Sequence, residues 1–263
     1  MRLFWEITRR AYRRYLTYRA AIFAGLVTNF FFGVLRVAII LALYGDQQEV
    51  AGMTQQQATT YTALTQGVIA YLAIFGWADL MNSVHNGEVA NDLLKPMGFF
   101  QFWMARDLGR AIVQFLLRGL TIMAVYALVF DLIYPTTIGQ WTAVFLAVVL
   151  SWMISFAYRF FINLSAFWTP NALGIIRFGL VAAWFFSGFM MPLDYFPDWV
   201  IQLAHLMPFP SMLDTVMKIF IGTLTGWDAL AAIGIQVAWF VGLFAVSQVT
   251  LKAAVKRLVI LGG

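Results

Sequence analysis

Residues 20–44 read AAIFAGLVTNFFFGVLRVAIILALY, a run of 25 residues whose one charged side chain is Arg36. As a helix rising ~1.5 Å per residue it is long enough for a hydrocarbon core about 30 Å thick. Five further runs have the same character, at 61–84, 111–134, 141–164, 172–191 and 229–251. The chain is therefore expected to be an all-α integral membrane protein, a single transmembrane domain over 1–263 with six transmembrane helices.

Composition supports this reading. Of the 263 residues 62% are hydrophobic and 11% charged, with 25 Phe and 10 Trp, and mean hydropathy is +0.80. So few charges could not cover the surface of a soluble domain. Cysteine is absent and the two histidines, His85 and His205, lie far apart. No disulfide, thiolate metal site or His-based metal pattern is thus available. Walker A, dinucleotide-binding and H-E-x-x-H patterns are missing, as is a G-x-S-x-G elbow. No catalytic residue and no metal ligand is assigned, and any energised role requires a partner that hydrolyses ATP. The pI of about 9.6 reflects Lys and Arg beside the spans, which points to topology and lipid headgroups and not to nucleic acid.

Those charges predict orientation. The N-terminal segment carries Arg2, Arg9, Arg10, Arg13 and Arg14. Lys95, Arg106 and Arg110 lie between spans two and three, Arg159 and Arg177 flank the connection of four to five, and Lys252, Lys256 and Arg257 follow span six. The opposite connections hold Asp46, Glu49, Asp131, Asp194, Asp198, Asp214 and Asp228 against Lys218 alone. The basic side faces the cytosol, so both termini are placed there and the chain is multi-pass in a cell inner or plasma membrane. No removable leader is read at the N-terminus, because no short apolar run with a small-residue cleavage site follows its charges.

Three shorter segments are predicted. In residues 1–18 the arginines share one helical face opposite Phe4, Ile7, Ala11, Tyr15 and Tyr18. This is either a cytosolic interfacial helix or a basic flank of span one. Residues 86–96, N-G-E-V-A-N-D-L-L-K-P, read as a short amphipathic helix ending before Pro96. Glu88, Asp92 and Lys95 fall on one face, and Val89, Ala90, Leu93, Leu94 and Met97 on the other. Such a helix can dock into a groove of another protein or lie against headgroups. Between spans five and six, residues 192–222 are interrupted by Pro192, Pro197, Pro208 and Pro210. Two pieces of about ten residues fit there, one over 196–206 and one starting at Ser211 with Asp214 in a capping-box position and closing at Gly222. Each is about half a crossing, so 192–222 reads as a re-entrant or external helical hairpin.

The stretch Gly87-Glu88-Val89-Ala90-Asn91-Asp92-Leu93-Leu94-Lys95-Pro96 resembles the G-x-[LIV]-x-x-x-L-L-[RK]-P segment of ABC-2-type permease subunits of ABC exporters. Residues 187–199, S-G-F-M-M-P-L-D-Y-F-P-D-W, followed by Pro208-Phe209-Pro210, are similar to the external hairpin of that family. The resemblance implies that 86–96 is a coupling helix, with Gly87, Glu88, Val89, Asn91, Asp92, Leu93, Leu94, Lys95 and Pro96 contacting an ATPase subunit. It also implies that the helix bearing Arg9, Arg10, Arg13 and Arg14 touches that subunit, which is present in two copies per transporter and binds ATP and Mg. A second permease subunit, identical or related, completes the pathway.

Polar groups at membrane depth are costly and become functional candidates. Asn29, Arg36, Asp79 and Asn163 are read as pathway or interhelical polar residues, and Gln66 joins Asn29 and Asn163 as an interhelical hydrogen-bonding group. Arg118 and Arg19 are expected to snorkel to the cytosolic interface, and Arg36 to reach outward or meet an acid. The tryptophans, Trp77, Trp103 and Trp152 among them, read mostly as an interfacial belt. The function these features favour is a permease exporting a hydrophobic or amphipathic substrate. An ion-coupled transporter would need midplane acids and symmetry-related repeats, and Asp79 alone is a poor relay. A non-enzymatic membrane scaffold is the third class.

Overall fold

The helix at the centre of the molecule is the least apolar of the expected spans. In the computed structural model, which describes residues 2–257, α3 (Gln55–Leu72) is buried at every position from Ala58 onward. Its Thr59, Thr60, Thr62, Thr65 and Gln66 are buried with it. A helix can bury so many polar groups only where neighbours supply partners. Before it in the chain come α1 (Arg2–Leu16) and α2 (Arg19–Tyr44), and after it α4 (Asp79–His85), α5 (Val89–Leu93) and α6 (Phe99–Gln114). A π-turn (Phe115–Gly119) joins α6 to α7 (Leu120–Val129). Then come α8 (Ile138–Asn163), α9 (Ala172–Phe186), α10 (Asp198–His205), α11 (Asp214–Phe220) and α12 (Gly226–Val255). Met1 and 258–263, which the single-domain reading also includes, lie outside the described residues.

Among the described residues four helices are long and apolar enough to cross a membrane: Arg19–Tyr44, Phe99–Val129, Ile138–Phe167 and Gly226–Val255. Their outer faces are apolar, with Phe23, Phe31 and Ile39 exposed on α2 and Leu230, Val241 and Val249 on α12. The predominance of helix and these apolar faces agree with an all-α membrane protein. The other two expected crossings are shorter: α3 has 18 residues and α9 has 15.

Several boundaries correct the sequence reading. The expected span at 61–84 stops at Leu72. Ala73 takes a left-handed conformation (φ 55°), and the helix resumes only at Asp79. The expected polar connection up to Arg110 ends at Phe99, because α6 already contains Arg106 and Arg110. Arg159, expected to flank the next connection, is a fully buried residue of α8. Trp77, Trp103 and Trp152 are core residues, not members of an interfacial belt.

The break after Leu72 is held by side chains. Arg110 Nη2 donates to the Tyr71 carbonyl (2.8 Å) and Ser155 Oγ to that of Leu72 (2.8 Å). Trp184 Nε1 donates to the Ile74 carbonyl. Asn163 Nδ2 donates to the Trp77 carbonyl (3.0 Å) while its Oδ1 accepts from Met81 N (3.2 Å). Unwound backbone among membrane helices persists only when its polar groups are paired in this way.

At the opposite end of α3 the expected loop after span one is a tight hairpin, Glu49–Val50 against Met53–Thr54. Ala51 (φ 50°) and Gly52 (φ 78°) form its turn, which needs left-handed conformations at both positions. Thr54 and Gln57 then make a reciprocal capping box at the start of α3. The 192–222 segment carries α10 and α11, but α11 starts at Asp214 with no side-chain cap, and Ser211 lies in a preceding 3-10 turn (Pro210–Met212). Met212, Met217 and Phe220 are buried, whereas Trp199 and Leu206 of the α10 region are exposed. Tyr44 Oη meets Tyr195 Oη (2.7 Å), Tyr61 Oη donates to Asp214 Oδ1 (2.9 Å), and Arg36 donates to the Phe189 and Met190 carbonyls. Of the two expectations for Arg36, an outward reach or an acid, the acid is not met: its partners are backbone carbonyls. Lys218 lies between Asp194 (2.9 Å) and Asp214 (3.2 Å). Burial alone would depress its ammonium, but the two carboxylates more than offset that and raise it.

The N-terminal helix does not simply rest on lipid, since it packs along α6. A Cβ on Gly109 would come within 2.4 Å of the Thr8 carbonyl oxygen and 2.7 Å of Ala11 Cβ. The buried seam therefore runs through Thr8, and Tyr18, expected on the apolar face, is exposed. Gly109→Val should expel α1 at a cost of about 1–3 kcal/mol. Tryptic cleavage at Arg9–Arg14 should then rise roughly tenfold while the remaining core stays protected, and an unchanged digestion pattern would refute the seam.

Candidate functional site

The connection from α4 to α6 is organised around Asp92. Gly87 (φ 76°) turns the chain out of α4, a conformation glycine adopts without strain. Pro96 disfavours a helical Lys95, so α5 is limited to Val89–Leu93, two residues short of the predicted end. Asp92 is buried, accepting from Ser83 Oγ (3.1 Å) and from Lys95 Nζ. Lys95 Nζ also lies 3.6 Å from the Phe102 ring centroid, a cation–π contact. The expected faces are thus corrected at two positions. Asp92 points inward, and Leu94 is 83% exposed, because the helix stops before it can join the apolar side. Glu88, Asn91, Leu94 and Pro96 form the outward surface, whereas Val89 is buried and Leu93 and Lys95 are half-buried.

Val89 rests on an aromatic platform. Trp77, Phe99, Phe100, Trp103, Phe156 and Phe160 share its core cluster with Leu251. Phe100 meets Phe156, Phe160 and Phe244 edge-on, with centroids 5.1, 4.9 and 4.9 Å apart. Edge-to-face rings are close-packed and stiff. One short helix therefore bears directly on α6 and, through the shared aromatic cluster, is linked to α8 and α12.

Behind the platform lies a fully buried ionic cluster absent from the sequence expectations. Asp107 Oδ1 accepts from Arg110 Nε (2.7 Å) and Arg159 Nη1 (3.1 Å), and Oδ2 accepts from Arg159 Nη2 (2.9 Å) and Trp152 Nε1 (2.9 Å). One carboxylate locks α6 to α8, and through Arg110 it also fixes the end of α3. The i, i+3 spacing of Asp107 and Arg110 was visible in the sequence and could have flagged it. Arg159 comes from 52 residues away.

The remaining candidates do not converge. Asn29 donates to the Gln66 carbonyl (3.1 Å) and accepts from Arg118 Nη2 (2.6 Å), so Arg118 turns into the bundle instead of snorkelling. Asn163 ties the unwound Trp77 to Met81 at the start of α4, and Arg36 sits at the far end near Phe189. Asp79 begins α4 and lines a cavity of about 530 Å³ shared with Arg10, Arg14 and Arg106. Arg9 and Arg13 are exposed on α1. Asp107→Asn should leave two buried guanidinium groups without a countercharge and destabilise the protein by about 3–5 kcal/mol. A thermal unfolding midpoint equal to wild type in detergent would refute the structural role assigned to that carboxylate.

Comparison with curated proteins gives no match. Against protein families, the model described as "ABC-2 family transporter protein" matches residues 24–262. That match covers α2 from residue 24 and every helix after it, including the connection at 86–98 and the break after Leu72. The chain therefore belongs to the ABC-2 family of transporter proteins, as a membrane permease component of an ABC transporter.

Proposed function

We propose that this chain is the permease subunit of an ATP-driven exporter, crossing the membrane six times with both ends in the cytosol. In this reading α3 with its break, and α9 with the turns around it, complete the two shorter crossings. The 192–222 hairpin then lies on the outer side. Two copies of a separate ATP-binding subunit, holding ATP and Mg, close on the cytosolic side, and a second permease completes the pathway. The few charges inside the bundle favour a hydrophobic or amphipathic substrate.

The observation that carries the reading is the arrangement at 86–97. An outward ridge of Glu88, Asn91 and Leu94 stands on a buried aromatic platform. Force applied to the ridge would pass to α6 directly and to α8 and α12 through the aromatic cluster. An exposed leucine at its tip is the kind of anchor that a groove on a partner protein receives. Nucleotide can bias the access equilibrium only through a difference in affinity between two states. The ridge is where that difference would be communicated.

The test uses residues outside the core. Glu88→Arg combined with Leu94→Asp should lower transport at least about tenfold, with membrane insertion and thermal stability unchanged. ATPase turnover in the same complex should lose its dependence on transport substrate. Asp92→Ala is predicted to behave differently, lowering stability because it strips the partner from Ser83 and Lys95. Wild-type transport by the Glu88/Leu94 variant would overturn the assignment of this segment.

A further inference from the structure

The cavity between α1, α6 and the 86–98 connection is not needed for the packing already described, yet its wall is unusual. Arg10, Arg14, Lys95, Arg106 and Arg110 line it against two carboxylates, Asp79 and Asp107. Asp107 is already committed to Arg110 and Arg159, Lys95 is held by Asp92, and Arg10 by Glu6. Arg14 and Arg106 make no ion pair among the described residues. Arg106 is stacked over the Trp103 ring, 4.4 Å from its centroid, which steadies a planar fork suited to an oxyanion. Tyr15 adds a hydroxyl. Burial, followed by the nearby Asp79, pushes its phenol above the usual range, so it stays protonated and able to donate.

The rest of the wall is apolar. Leu3, Ile7 and Ala11 of α1 face Phe102 and Trp103 across the cavity. A site that joins two unpaired guanidinium groups to a greasy wall fits a charged headgroup with hydrocarbon attached. It lies where an amphipathic helix meets the start of the Phe99–Val129 membrane helix. Basic pockets beside membrane helices concentrate anionic lipid in this way. The volume of about 530 Å³ is within the range of small-ligand sites, about 300–1,000 Å³.

We propose that this cavity binds the phosphate group of an anionic phospholipid, held by Arg14 and Arg106, with the attached glycerol and upper chains against Ile7 and Phe102. A bound lipid would bridge α1 to α6 and brace the helix that enters the coupling segment's platform. The inference needs a membrane but no ATPase partner, so it and the proposed function can fail separately.

The test is native mass spectrometry of the full-length protein, titrated with phosphatidylglycerol or phosphatidylcholine and, in a separate arm, with inorganic phosphate. Phosphatidylglycerol should be retained in preference to phosphatidylcholine. Arg14→Gln with Arg106→Gln should weaken that retention about tenfold, equivalent to ~1.4 kcal/mol. Arg9→Gln with Arg13→Gln removes the same charge from α1 positions outside the cavity and should change it less than about twofold. Equal loss in both pairs would reduce the effect to general surface charge and overturn the site. Displacement of the lipid by millimolar inorganic phosphate would overturn the lipid as occupant. A measurement on the wild-type protein guards against a variant that fails to fold. Hydrogen exchange in α1 should slow when phosphatidylglycerol vesicles replace phosphatidylcholine vesicles, and equal exchange in the two would also overturn the proposal.

Discussion

The interruption of the helix after Leu72 is the constraint on which the rest of this architecture depends. A helix that stops at Leu72 among membrane helices leaves carbonyls with no water to receive them, and each unpaired group there costs several kcal/mol. Here those carbonyls are claimed by Arg110, Ser155, Trp184 and Asn163, from three different helices. The claimants must themselves be positioned. Arg110 is fixed by Asp107, which also holds Arg159 and Trp152. The break and the buried ionic cluster are therefore one structure, since neither could be kept at low dielectric without the other.

That structure explains how a five-residue helix can matter to a bundle of this size. An isolated helix as short as α5 would not form in water. It persists because Asp92 binds Ser83 and Lys95 and because Val89 is buried in the aromatic core cluster of α6 and α8. Its geometry is dictated by the protein beneath it, so its outer ridge is held rigidly with respect to α6 and α8. In the proposed exporter a rigid ridge is what a partner needs to push against.

Much of the architecture was legible in the sequence, and the failures share a cause. The apolar runs located α2, α8 and α12 to within a few residues, because burial in lipid is what hydropathy measures. The same measure could not see the break at Ala73, since Leu72-Ala73-Ile74-Phe75 stays apolar through it and the deciding partners come from distant helices. It also placed Arg110 in a connection and Arg159 beside one, where isolated arginines belong. The countercharge that makes their burial tolerable is one aspartate between them in space, and for Arg159 it is far away in sequence. At 86–96 the pattern was right in type but wrong in facing at Asp92 and Leu94. Periodicity assumes a helix long enough to continue, and Pro96 cut this one short. The polar core of α3 escaped notice for the opposite reason: its threonines look wet, yet neighbours cover them all.

Residues 189–214 are fastened to α2 and α3 at three places, through the Tyr44–Tyr195 hydroxyls, the Tyr61–Asp214 bond and the grip of Arg36 on residues 189 and 190. At the other end α1 leans on α6 through a glycine contact, and the wall beside it is hollow. These fastenings sit at opposite ends of the molecule, so peeling α1 away from α6 would leave the bonds at residues 189, 190, 195 and 214 in place.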